Sequence, residues 1–193
     1  TYRKNGRWGE AREWYLKTFA FSHAPVPRIE SVHTFGALAD LDLTQGHLRE
    51  AAAYWRRALM VIQDQATHGS YSLPIIGWVY IRLAEVLYEW NEMATAWEHL
   101  RPGLERVELG GDVRGMIAGY LIAGRLKLAD GDIAATEQYL ERARPLVENA
   151  PFPDWIDRLE RLQLEFWLAQ GRLQEAAGWA DEILRSEAVE ERP

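Results

Sequence analysis

Acid–base, nucleophilic and metal chemistry draws on histidine, cysteine and carboxylate side chains, and none of these is arranged here to perform it. The five histidines are His23, His33, His47, His68 and His99. No two stand three or four residues apart and no HExxH occurs, so no helix face offers paired imidazoles to a metal. Cysteine is absent, which removes thiolate nucleophiles, Cys-ligated zinc and disulfides. The sequence carries neither a G-x-S-x-G elbow nor a G-x-x-x-x-G-K-[ST] phosphate loop, and Gly110-Gly111 reads as a turn. Carboxylates are plentiful, but nothing selects a catalytic pair: Glu10 and Glu13 beside Arg7 and Arg12 read as a solvated helix face. The chain is therefore expected to be no enzyme and to hold no cofactor or metal. What remains is recognition through arginine and tryptophan, of which the chain has nine Trp.

Composition narrows the partners. The 193 residues are 48% hydrophobic and 26% charged, an ordinary globular balance, with a net charge of 22 − 29 = −7. An acidic chain makes a poor grip on a phosphate backbone, so direct nucleic-acid contact is not expected. No apolar run approaches the length of a membrane span, and a cytoplasmic location is expected. The chain opens on Thr1, which fits a segment of a longer protein.

A phrase of Gly, any residue, apolar, two residues, small recurs along the chain. It reads Gly6-Arg7-Trp8-Gly9-Glu10-Ala11, Gly46-His47-Leu48-Arg49-Glu50-Ala51, Gly131-Asp132-Ile133-Ala134-Ala135-Thr136 and Gly171-Arg172-Leu173-Gln174-Glu175-Ala176. Asn91-Glu92-Met93-Ala94-Thr95-Ala96 is a weaker copy, and the steps are 40, 45, 40 and 40 residues. Apolar residues on either side keep helical spacing, as in Leu48, Ala51, Ala52, Trp55, Ala58, Leu59 and Ile62. Gly or Asn at the junction suits the left-handed residue that ends a helix. So short a link forces an antiparallel hairpin. Breaks fall at Pro25 to Pro27, His68 to Pro74, Gly110 to Asp112 and Ala150 to Asp154. The expected organisation is one domain over 1–193, with a leading helix at 6–22 and helix pairs at 28–65, 73–109, 112–149 and 153–187. Its fold class is all-α, an α-solenoid of stacked hairpins.

Small residues twelve apart mark the crossing in each pair: Ala39 and Ala51, Ala84 and Ala96, Gly124 and Thr136. An aromatic precedes the first by four (Phe35, Tyr80, Tyr120). A bulky residue follows the second by four (Trp55, Leu100, Leu140), and another small one by seven (Ala58, Gly103, Ala143). This resembles the tetratricopeptide pattern, which implies a right-handed superhelix. The last pair departs from it with Glu160, Leu164 and Ala180, as a capping or diverged unit would. The step of about 40, with Gln45-Gly46-His47-Leu48-Arg49-Glu50-Ala51 and Gln170-Gly171-Arg172-Leu173-Gln174-Glu175-Ala176, is similar to the sensor superhelix of MalT-type, LuxR-family ATP-dependent transcription regulators. That resemblance implies adjoining ATPase and DNA-binding modules in a longer parent chain. It also implies a small inducer or a regulatory protein as partner, with the event passed on through superhelix packing or self-association. The rival is a constitutive tetratricopeptide adaptor for a peptide or protein.

In stacked pairs the first helices line the concave wall. Taking the crossing residue as reference, the positions one after it and three and six before it turn inward. They are Asp40, Gly36 and His33; Glu85, Ile81 and Trp78; Arg125, Leu121 and Ala118; Glu165, Arg161 and Arg158. The candidate ligand-binding residues are thus His33, Asp40, Trp78, Glu85, Arg125, Arg158, Arg161 and Glu165. Such a mixed-sign groove suits a sugar, a carboxylate or an extended peptide. Leu43, Tyr88, Leu128 and Leu168 are expected to dip toward the core. Trp55, Trp97, Trp179 and Trp8 are expected to be packing residues, and Pro102-Gly103 to bend its helix.

Overall fold

A computed structural model describes residues 8–21, 29–66, 73–149 and 153–190, and among these every element is α-helical. In chain order they are α1 (Trp8–Phe21), α2 (Ile29–Thr44), α3 (Leu48–Ala66), α4 (Leu73–Glu89), α5 (Met93–Leu109), α6 (Val113–Ala129), α7 (Ile133–Glu148), α8 (Pro153–Ala169) and α9 (Leu173–Glu190). The expected break at Pro25 to Pro27 lies outside the described residues, as do residues 68–72 and 150–152 of two others, His23, His68, Arg7 and the side chain of Trp8. The helices group into two compact units, Thr1–Gly119 and Tyr120–Pro193, with the boundary inside α6. In the first unit α1 packs on α2, α2 on α3, α3 on α4 and α4 on α5; in the second, α7 packs on α8 and α8 on α9.

The helices stop where the phrase says they should. Gly46, Asn91, Gly131 and Gly171 all have positive φ (77°, 61°, 76° and 71°), and Gly111 joins them at 67°. At each junction the following residue's N–H reaches back across the turn. His47 donates to the Asp42 carbonyl at 2.8 Å, and Glu92, Asp112, Asp132 and Arg172 donate to Leu87, Val107, Lys127 and Trp167 at 2.9 Å. This is the Schellman closure, which satisfies carbonyls that the helix leaves open. Asp132 then caps α7 by accepting from the Ala135 N–H at 3.1 Å, a bond that typically contributes about 1 kcal/mol. A Cβ in the left-handed region costs roughly 1–2 kcal/mol. Gly131→Ala should therefore lower stability by about that amount, while Asn91→Gly should leave it unchanged or raise it. Paired urea titrations check the opposite signs.

Small residues let the helices cross closely. Ala39, Ala51, Ala84 and Ala96 have no exposed surface. In the second unit Thr136 is equally buried, and its hydroxyl donates to the Asp132 carbonyl at 2.9 Å, so the polar atom is not left bare. One close approach is between α4 and α5. A Cβ on Gly77 would lie 2.8 Å from the Gly103 carbonyl oxygen, and one on Gly103 would lie 3.1 Å from that of Gly77. Pro102 does stand inside α5, and the Arg106 side chain donates to its carbonyl at 2.7 Å. A second internal proline, Pro145 in α7, escaped the sequence reading.

One expectation about facing needs correction. Leu43, Tyr88 and Leu128 are half-buried, but Leu168 is 50% exposed, because no further helix among the described residues covers it. Trp55 is buried as expected, and Trp97 and Trp179 are half-buried, whereas Trp14 is 57% exposed.

Candidate functional site

The first unit contains a charged cluster built around a residue outside the expected row. Arg82 lies on α4 between Ile81 and Leu83 and is only 6% exposed. Its guanidinium is ion-paired with Asp40 from α2 and with Glu85 one turn further along α4. The rings of Trp55 and Trp78 have their centroids 5.9 and 5.8 Å from the guanidinium carbon. A buried cation survives only when paired and hydrogen-bonded. Desolvation pulls the Arg82 pKa down, but the Glu85 and Asp40 carboxylates more than offset it, and the net shift is upward. With one cation and two carboxylates the cluster has a formal charge of −1. Arginine suits the place because its planar fork can meet two acids at once while lying against indole rings.

Two donors in this cluster stand out. Among the described residues, neither the Arg82 Nε–H nor the buried Trp55 Nε1–H finds an acceptor. Trp78 is half-buried, and its ring also lies 5.2 Å from the guanidinium of Arg114 at the start of α6. His33 is exposed on α2. Nearby, Asp42 is fully buried and ion-paired with Arg12 of α1, with His47 Nδ1 3.6 Å from the same carboxylate oxygen. Arg12 thus fastens α1 onto α2 instead of joining a solvated face with Glu10 and Glu13. Glu13 pairs with Lys17 at 2.7 Å, and that interaction holds its carboxyl below the usual pKa.

In the second unit Arg125 of α6 and Glu165 of α8 are both half-buried and face one another, Nε to Oε2, at 3.9 Å. Arg158 is exposed, with its guanidinium 5.2 Å from the Trp155 ring centroid, and Arg161 is exposed. Spacing places Arg158, Arg161 and Glu165 on one face of α8.

Each candidate residue thus has a definite setting within its own unit. Asp40, Trp78 and Glu85 come together around Arg82, and Arg125 meets Glu165. Gly36, Ile81, Ala118 and Leu121, which share the inward row, are buried. The reason is visible for two of them. A Cβ on Gly36 would lie 2.8 Å from the Trp55 ring, and Ile81 fills the space above Gly103 and Gly119. The inner row is therefore part packing surface and part polar site. The signal that could have revealed Arg82 is a lone arginine inside the apolar run Val79-Tyr80-Ile81-Arg82-Leu83-Ala84.

Among the described residues no group of three or more His, Asp or Glu is placed to hold a metal ion, and no helix is long and apolar enough to cross a membrane. The family model described as MalT-like TPR region matches residues 1–192. Two solved structures resemble the chain over its whole length. One is BtubC from P. vanneervenii, at 17% identity and a TM-score of 0.72, with 78% of that chain covered. The other, from Podosopora anserina, is described as a kinesin light chain with nearly identical TPR-like repeats; it matches at 18% identity and a TM-score of 0.64, with 92% covered. At these identities the likeness speaks for the fold: an all-α, tetratricopeptide-like α-solenoid.

Proposed function

This chain belongs to the MalT-like TPR region family, and from that membership we propose that it is the cytoplasmic sensor segment of a signal-responsive transcription regulator. It binds a small inducer or a regulatory protein on the polar inner face of its first helices and does no chemistry of its own. The observation that carries this reading is the Arg82 cluster. Two buried N–H donors without acceptors among the described residues sit beside the half-buried rim of Trp78 and Asp40. Unmatched buried donors cost stability unless a ligand atom completes them, so a ligand that displaces the half-buried Trp78 ring and supplies acceptors gains free energy from both. The two carboxylates already over-neutralise the guanidinium, which favours a neutral acceptor such as a hydroxyl or carbonyl over a second anion. A ligand shifts such a domain between arrangements only by its differential affinity for them.

A thermal-shift screen of polyols, sugars, metabolites and peptides tests this reading. Compounds that raise the melting temperature should lose their effect in Trp78→Ala and keep it in Arg161→Ala. Loss in Arg125→Ala and Arg161→Ala with retention in Trp78→Ala would move the site to the second unit. If only peptides bind, and the parent chain lacks both a phosphate-loop ATPase and a helix-turn-helix domain, the protein is a constitutive adaptor.

A further inference from the structure

The seam between the second helix of one pair and the first helix of the next can be compared with itself along the chain. With junction steps of 45 and 40 residues, Arg144 on α7 occupies the register place of Leu59 and Leu104. With steps of 40, Gln163 on α8 occupies that of Leu83 and Ala123. All four counterparts are buried and apolar. In the second unit the polar pair bonds to itself instead, Arg144 Nη2 to Gln163 Oε1 at 2.7 Å. There a solvent-open cleft of about 340 Å³ replaces a packed seam.

The lining of this cleft has an order. Leu140 and Phe166, each 3% exposed, form its floor. Glu137, Glu141 and Arg144 share one face of α7 by their spacing. Trp167 lines the α8 side and Arg172 one end, its guanidinium 6.0 Å from the Trp167 ring centroid. Arg172 is steadied by Glu175 at 2.8 Å, a bond that also holds the Glu175 carboxyl below its usual pKa. Among the described residues neither Glu137 nor Glu141 has an ion-pair partner. The wall therefore presents two uncommitted carboxylates between two guanidiniums, above an apolar and aromatic floor.

We propose that this α7–α8 cleft is a second ligand site, separate from the Arg82 cluster, for a small zwitterion of the α-amino-acid class with an apolar or aromatic side chain. The ligand ammonium sits at Glu137 and Glu141, its carboxylate meets a guanidinium fork, and its side chain rests on Leu140, Phe166 and Trp167. The volume is at the lower end of small-molecule pockets, which favours a single amino acid over an extended peptide. Gln163 and Arg144 hold the seam open.

Calorimetric titration of the chain with L-phenylalanine, 2-phenylethylamine and 3-phenylpropionate is the test. The amino acid should bind saturably, and each analogue, lacking one charge, should bind at least about tenfold more weakly. The double variant Glu137→Gln with Glu141→Gln should weaken the amino acid by a similar factor. The variant Arg144→Leu with Gln163→Ala restores the buried apolar residues of the register, so it should fold, close the cleft and abolish binding. Absence of binding by the wild type, an amine that binds as tightly as the amino acid, or unchanged binding in the seam-restoring variant would each overturn the proposal. None of these results bears on Trp78-dependent binding, so the two sites fail independently.

Discussion

Arg82→Ala is expected to destabilise the chain by about 3–5 kcal/mol, the usual cost of leaving a buried charge without its partner. Asp40 and Glu85 both lose their cation, and the Glu85 side chain, 8% exposed, stays where water reaches it poorly. Arg82→Lys should recover part of the loss, because an ammonium keeps the charge but cannot span two acids and two indoles as a flat fork does. Replacing the three charged residues together, as Arg82→Met, Asp40→Leu and Glu85→Leu, should recover more than Arg82→Lys, since apolar side chains of similar volume often match or exceed a buried ion pair. Urea midpoints of the four proteins give the ranking. A triple variant no more stable than Arg82→Ala would mean that the cluster holds the fold through geometry that apolar packing does not reproduce.

The second large effect belongs to the α4–α5 crossing. Gly77 is at a helix interior, where alanine normally gains about 1 kcal/mol over glycine. Here the new Cβ would meet Val107 Cγ1 at 2.7 Å and the Gly103 carbonyl oxygen at 2.8 Å. A side-chain methyl can turn away, but a backbone carbonyl cannot, so the steric cost outweighs the propensity gain. Gly77→Ala should therefore destabilise by roughly 1–2 kcal/mol, and Gly77→Leu by about 3 kcal/mol. Gly178 on α9 supplies the control, since a Cβ there meets nothing within 4 Å. Gly178→Ala should raise stability by about 0.5–1 kcal/mol. Thermal melts that show the same sign at both glycines would refute the close crossing.

The hairpins and their junctions were legible because they depend on local spacing. A glycine followed two residues later by an apolar side chain and five later by a small one fixes a turn and the start of a helix together. The crossing alanines were legible for the same reason. Arg82 was not, because a single arginine on a helix usually marks a solvent face, and its partner Asp40 lies 42 residues away on another helix. Ile81 read as a wall residue because periodicity cannot tell a groove from a place where glycines of neighbouring helices draw a side chain in. Leu168 read as core because its counterparts Leu43, Tyr88 and Leu128 have a following helix to cover them. Arg144 and Gln163 were visible in principle, but only by aligning the repeats beyond the small and bulky positions that define them.

The turns at Asn91, Gly111 and Gly131 are twenty residues apart and share one backbone closure, although the middle one joins different hairpins and the outer two close single ones. From 73 to 149 the chain therefore runs as consecutive α-helices with no slack between them. Each added residue turns an α-helix by about 100°. A one-residue insertion or deletion within this stretch would swing every later apolar stripe away from its neighbour. Relatives should vary in length elsewhere and keep this spacing residue for residue.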